Sequence, residues 1–328
     1  MISRHRTEVD LAAPRHRTEV DLAAQPIPRE ADLAGMLPRP IIPGATYLVT
    51  RRCTQRQFLL VPSRRTRQVF HYCLAYAAQR TGVLVHAVIV MSNHYHLVVT
   101  DPLGRLPAFA ECLNKLVAKC LNATYGRWEN FWSSEPVSYV RLLDSEAVID
   151  KIAYTLANPV LAGLVKRGDR WPGLRLGRPG AYPARRPSCF FREEGSMPRS
   201  LSLELVEPAL DDSDAGDAWS RIERAVGEME AHVRENARRE GRRFLGASAV
   251  MRQNPSKSPR THAVRRALSP RIASRNKWLR IEVLSRSAEF IRDYRRAFAS
   301  WRLLDRLAVF PLGTYLMRQR HSVPCAEA

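Results

Sequence analysis

Between Gly44 and Val165 the apolar residues recur at two different periods, and the order of those stretches restricts the fold more tightly than any other feature. Ala45-Thr46-Tyr47-Leu48-Val49-Thr50 alternates with a period of two, as a half-buried strand does. Ser63 to Thr81 then places Phe70, Cys73, Leu74 and Ala77 at helical spacing. A second strand, Leu84 to Val90, meets a third, His94 to Thr100, across the short turn Met91-Ser92-Asn93. Leu106, Phe109, Leu113, Leu116, Val117 and Cys120 mark a second amphipathic helix. An aromatic loop (Trp128, Phe131, Trp132) leads to a fourth strand near Val137 to Leu142. A third helix runs from about Asp144 to Asn158, where Pro159 is expected to end it. The order β-α-β-β-α-β-α predicts an α+β fold: a ferredoxin-like antiparallel sheet with packed helices.

That pattern places one compact domain at residues 38–175. Ahead of it, Arg4 to Ala13 (RHRTEVDLAA) recurs letter for letter at Arg15 to Ala24, an 11-residue period. Two copies among prolines are too few for a solenoid, so residues 1–37 read as a disordered tail. Residues 176–215, with Pro179, Pro183, Pro187 and Pro198, read as a linker. Residues 216–328 read as a largely helical, basic extension. There Trp219, Ile222, Val226, Met229 and Val233 form one stripe, and Phe290, Ile291, Tyr294, Phe298 and Trp301 another.

Charge narrows the function classes. The 328 residues carry 52 Lys plus Arg against 32 Asp plus Glu, an excess of +20, and from Met251 onward the count is 17 against 5. Such a balance speaks against a typical acidic cytosolic enzyme and points to a polyanion, nucleic acid before membrane. No apolar run of about 18 residues and no signal-like start is present, so the expectation is a cytoplasmic, nucleoid-associated protein with no membrane partner. The six cysteines form no C-x-x-C pair, which favours reduced thiols over a zinc ribbon.

The chemistry-bearing residues lie on the third strand and third helix. In His94-Tyr95-His96 the period of two puts both imidazoles on one face and Tyr95 on the other. Two histidines so placed can meet one ion, although a surface pair in a strand has the same pattern. On the third helix, Val148, Ile149, Ile152 and Leu156 form the core stripe, and Tyr154 lies roughly opposite. Asn158 follows one turn later on that non-core face, with Lys151 close by. A solvated face closed by a helix-end asparagine would look alike.

Two motifs here carry a family resemblance. Met91 to Val99 (MSNHYHLVV) resembles the M-P-N-H-x-H strand of IS200-like single-tyrosine transposases, of the HUH type. Tyr154 to Val165 (YTLANPVLAGLV) resembles the Y-I-x-x-N-P-V-x-A-G-L-V helix of their REP-associated branch. The similarity covers about residues 38–175, and Ser92 stands where many relatives carry proline.

The resemblance implies an HUH-type fold and a transposase that cleaves and rejoins single-stranded DNA with hairpin or palindromic ends, as a monomer or homodimer. Tyr154 would be the nucleophile, leaving a 5′-phosphotyrosine and a free 3′-OH. His94, His96 and Asn158 would hold a divalent metal, Mg²⁺ or Mn²⁺. Such an ion neutralises charge on phosphoryl oxygens and aligns in-line attack. The covalent linkage retains the phosphodiester's energy, so a 3′-OH can reseal it without ATP. The competing readings are a non-catalytic DNA-binding protein derived from a transposase and a protein acting on RNA.

Arg51, Arg52, Arg64, Arg65 and Lys151 are candidate phosphate contacts, as are Arg292, Arg295 and Arg296 on the basic helix near residues 286–306. Trp128, Phe131 and Trp132 suit either stacking on unpaired bases or a place in the core. His86 reads as structural.

Overall fold

The computed structural model describes residues 38–188, 197–210, 218–260 and 271–327. The 11-residue duplication, expected to form a tail, lies outside the described residues. Two compact units are present, one spanning Pro40–Glu289 and the other built chiefly from Phe290 onward.

Four strands form the centre of the first unit: β1 (Ala45–Arg52), β2 (Leu84–Val90), β3 (His94–Asp101) and β4 (Ser138–Leu142). They lie in the order β2-β3-β1-β4, each antiparallel to its neighbour, which is the ferredoxin-like arrangement expected from the periodicity. Helices α1 (Arg64–Thr81), α2 (Leu106–Tyr125) and α3 (Ser145–Leu161) follow β1, β3 and β4.

Local sequence sets these helix ends. The Ser63 side chain accepts from Thr66 N at 3.0 Å, and Asp144 accepts from Ala147 N at 2.7 Å. Asp101 takes both Arg105 N and Leu106 N on its carboxylate at the start of α2. Gly82 and Gly126 close α1 and α2 at φ of 73° and 61°, a left-handed conformation that favours glycine.

Alternation along the strands sorts the two sheet faces. Tyr95 packs edge-on to Phe70 of α1 and donates to Asn114 Oδ1 of α2 at 3.0 Å, so those helices cover one face. Leu48, Val98, Val140 and Leu142 point to the other face, where they bury Val148, Ile149, Ile152 and Leu156 of α3. The expected core stripe of α3 is therefore the observed one. Ile152 alone, fully buried, is worth about 1.5–3 kcal/mol of transfer free energy.

The sheet extends beyond the predicted four strands. β5 (Arg175–Leu176) straddles the start of the stretch expected to be a linker, and β6 (Gly180–Arg185) and β7 (Ser200–Leu205) arise inside it. β5 pairs antiparallel with β2, β7 pairs parallel with β2, and β6 forms the outer edge against β7. Pro183 is tolerated because β6 is an edge strand, where a missing N–H costs no ladder bond on the outer side. At the other edge β8 (Ile272–Ala273) runs parallel to β4, so the complete eight-stranded sheet is mixed.

Two further helices complete this unit: α4 (Ala218–Arg239) and the short α5 (Ala247–Met251). The predicted stripe on α4 is used, since Trp219, Ile222 and Val226 pack onto the α3 cluster. A long helix, α6 (Lys277–Arg302), begins in the first unit and supplies the apolar face of the second. There Phe290, Tyr294, Phe298 and Trp301 enclose a core with Phe310, Val323 and Met317 of α7 (Leu316–His321). No helix among the described residues is long and apolar enough to cross a membrane. Cys53, Cys73, Cys112, Cys120 and Cys325 are free thiols.

Candidate active site

The site is assembled where the β2–β3 turn meets the α3 face of the sheet. Strand register fixes who stands beside the histidines: Thr50 of β1 is opposite His96, Arg51 is opposite Tyr95, and Arg52 is opposite His94. With side chains alternating, Thr50, Arg52, His94 and His96 share one face, while Arg51 and Tyr95 share the other.

Both imidazoles are oriented through one ring nitrogen. Thr50 Oγ1 and His96 Nδ1 are 2.7 Å apart, and Asn93 Oδ1 and His94 Nδ1 are 2.8 Å apart. Asn93 is itself fixed, because its Nδ2 donates to the Arg56 carbonyl at 3.1 Å. An Nδ1–H donated to each of these oxygens leaves both Nε2 lone pairs for a ligand, as in metal sites that orient histidine through an outer shell. The rings stand edge to face with centroids 4.9 Å apart.

Burial keeps them uncharged. His94 is pushed down to about 4, by burial first and then by Arg52 and Arg56. His96 is held well below its ordinary value by burial, with His94 and Arg52 adding to the effect. Neutral imidazole is the form that binds a metal, so near neutral pH no proton competes.

α3 brings Tyr154 to this pair. The Tyr154 ring meets His96 edge-on with centroids 5.5 Å apart, and Lys151 Nζ lies 5.9 Å from the Tyr154 centroid. The expected grouping of His94, His96, Tyr154 and Lys151 is thus present in space. Asn158, one turn along α3, is 6% exposed instead of lying on a solvated face. α4 packs on the opposite, apolar stripe of α3, through Trp219, Ile222 and Val226. No hydrogen bond joins the Asn158 amide to either imidazole.

Pro159 does not stop the helix as expected: α3 continues to Leu161. A proline at this point disrupts the bonding of the preceding turn. Arg175 Nε donates to the Leu156 carbonyl in that turn at 2.8 Å.

The donor set fits a divalent ion. Two neutral imidazoles with aligned outer-shell partners suit an ion such as Mn²⁺, to which the Asn158 carboxamide oxygen would be the third protein ligand implied by the motif. Among the described residues no group of three His, Cys, Asp or Glu side chains forms a metal cluster.

The basic residues divide by face. Arg52 is exposed beside the histidines. Arg51, expected to contact phosphate, is turned the other way: it donates to the Ser133 carbonyl at 2.9 Å and to the Glu135 carbonyl. Its work is to hold the loop before β4. Arg64 and Arg65 are exposed in the first turn of α1, where the helix dipole disfavours cations and an anion would relieve them. In the second unit, Arg292, Arg295 and Arg296 are exposed on α6, away from its apolar face.

Of the loop aromatics, Phe131 is buried and Trp132 is anchored by Nε1 donating to the Asn114 carbonyl at 2.9 Å. Trp128 is 96% exposed and is the one available for stacking. His86 is structural, with Nδ1 at 2.8 Å from the Val206 carbonyl and Nε2 at 2.7 Å from Thr100 Oγ1. Thr50 is the site residue that sequence reasoning missed. Its only signal was its place on the same strand face as Arg52, and the pairing of β1 with β3 was needed to use it.

No protein-family model and no curated protein matches this chain. Among solved structures it is similar to the REP-associated tyrosine transposase bound to a REP hairpin, at 20% identity and a TM-score of 0.36, over 42% of this chain and 80% of that one. It is also similar to a candidate transposase from Deinococcus radiodurans, at 18% identity and a TM-score of 0.25, over 29% of this chain and 76% of that one. Both are described as transposases.

Proposed function

We propose that this protein is a transposase of the single-tyrosine HUH type, an endonuclease and strand transferase acting on single-stranded DNA with hairpin or palindromic ends. The observation that carries this reading is the meeting of Tyr154 with two neutral, outer-shell-oriented histidines on one sheet face.

In the proposed reaction the Tyr154 hydroxyl oxygen attacks the scissile phosphorus. The Tyr–O–P bond forms, the P–O3′ bond breaks, the phenolic proton passes to water, and the departing 3′ oxygen takes up a proton. The reverse step, with a 3′-OH as nucleophile, restores a phosphodiester and frees Tyr154. His94, His96 and Asn158 would hold a divalent ion, Mg²⁺ or Mn²⁺, which would neutralise charge on the phosphoryl oxygens. Arg52 and Lys151 add fixed positive charge beside the scissile phosphate. Burial around the histidines strengthens these interactions relative to water.

The test is metal-dependent cleavage of labelled single-stranded hairpins drawn from the gene's flanks. The reading expects cleavage with Mn²⁺ or Mg²⁺, none with EDTA, and none in His94→Ala or His96→Ala, with DNA binding changed only a few-fold, on the order of 1 kcal/mol or less. Tight binding without cleavage under any metal condition would favour a non-catalytic DNA-binding protein.

A further inference from the structure

The turn that carries the histidines is held by residues far along the chain. Ser92, 4% exposed, donates its hydroxyl to Gln253 Oε1 at 2.5 Å. Ser258 Oγ donates to the Gln55 carbonyl at 2.7 Å, and Phe58 N donates to the Lys257 carbonyl at 2.9 Å. These contacts support a loop that cannot be relaxed by itself, since Gln55 and Arg56 take φ of 46° and 58°, a region that non-glycine residues seldom adopt. The Arg56 carbonyl in that loop fixes Asn93, and Asn93 fixes His94.

The same segment also grips the helix of Tyr154. Leu245 N donates to the Gly163 carbonyl at 3.0 Å and Gly246 N donates to the Leu164 carbonyl at 2.8 Å, just past the end of α3. Between the two grips, Val250 is fully buried against Met91 of the turn and Val160 of α3. One stretch of about fifteen residues thus bonds to the histidine turn at one end and to the tyrosine helix at the other.

We infer that residues 244–258 form a positioning clasp that sets the histidine pair relative to Tyr154, with the Ser92–Gln253 hydrogen bond as its contact on the turn. The inference rests on the proposed roles of His94, His96 and Tyr154. Ser92 and Gln253 are positioning residues and touch no reacting atom. A turn without a hydroxyl at position 92 would lack this link, which gives the serine there a physical reason.

The experiment compares wild type, Gln253→Leu and Gln253→Glu as full-length proteins. Imidazole nitrogen resonances are recorded without metal, and single-turnover cleavage and hairpin affinity are recorded with Mn²⁺. Gln253→Leu removes the acceptor, and Gln253→Glu keeps one. The clasp predicts shifted His94 resonances and cleavage slowed by up to about tenfold in Gln253→Leu, the lower end of what losing the ligand's own outer-shell partner costs, since Gln253 acts one bond further out. Affinity should stay within about twofold, and Gln253→Glu should restore both readings. A folded Gln253→Leu with wild-type resonances and rate overturns the inference. Should wild type cleave no DNA, the resonances alone decide: a shift reversed by Gln253→Glu upholds the clasp while the nuclease reading falls, and no shift overturns it. Ser92→Ala supplies the same readings if Gln253→Leu does not fold.

Discussion

Acidification should destabilise the metal-free protein through the two imidazoles that the fold keeps neutral. Burial with Arg52 and Arg56 holds His94 at about 4, and burial with His94 and Arg52 holds His96 well below its ordinary value. In the unfolded chain both titrate near 6.5. Between the folded and unfolded values the unfolded state binds more protons, so stability rises with pH. The stabilisation is complete above about pH 6.5 and is lost as the pH falls toward the folded value. At about pH 5, protonating one unfolded histidine favours unfolding by about 2 kcal/mol, whereas a folded group at about 4 recovers less than about 0.1 kcal/mol. His96 acts in the same direction, so the pair costs more than the roughly 2 kcal/mol of His94 alone, a large part of a domain's net stability.

Urea unfolding at about pH 7.5 and about pH 5 measures the effect, with extrapolation to water. Wild type should lose stability steeply, and His94→Gln/His96→Gln should lose at least about 2 kcal/mol less over the same interval. The double variant keeps a smaller slope, because burial also lowers His71 and His86. Equal pH dependence in wild type and the double variant would refute the idea that these imidazoles are kept neutral by their surroundings.

Other perturbations separate structural from DNA-binding charge. Arg51→Ala should lower stability by about 1–3 kcal/mol through the lost loop contacts while leaving the salt dependence of DNA binding unchanged, as read by denaturant melts and fluorescence anisotropy. Arg52→Ala should do the reverse, with the slope of log affinity against log salt falling by about 0.7 for one phosphate contact on a single strand. Arg292→Ala/Arg295→Ala/Arg296→Ala should reduce that slope by about 2 if α6 grips DNA, with unchanged slope excluding the role.

The order of strands and helices from β1 to α3 was legible because each element has a clean period and an end signal, such as Ser63 before α1 or Asp144 before α3. The shared face of His94 and His96, opposed to Tyr95, follows from alternation alone. What could not be read depends on contacts distant in sequence. Residues 176–215 look like a linker because Pro179 and Pro183 break the pattern, yet β6 is an edge strand and accepts proline. Asn158 looks exposed from the angles of α3, yet it is buried in the folded chain. Arg51 looks like a phosphate contact until the β1–β3 register places it beside Tyr95. Likewise, nothing local in Ser92 or Gln253 announces that they bond across the sequence.

The central claim is that Tyr154 becomes covalently joined to DNA. Wild type and Tyr154→Phe would be incubated with 5′- and 3′-labelled single-stranded hairpins, with Mn²⁺ or with EDTA, and resolved on a denaturing gel. The account predicts an adduct that retains label only on the DNA 3′ of the cut, requires the metal, and is missing in Tyr154→Phe. An adduct of equal yield in Tyr154→Phe, or cleavage by wild type with no covalent species, would contradict it.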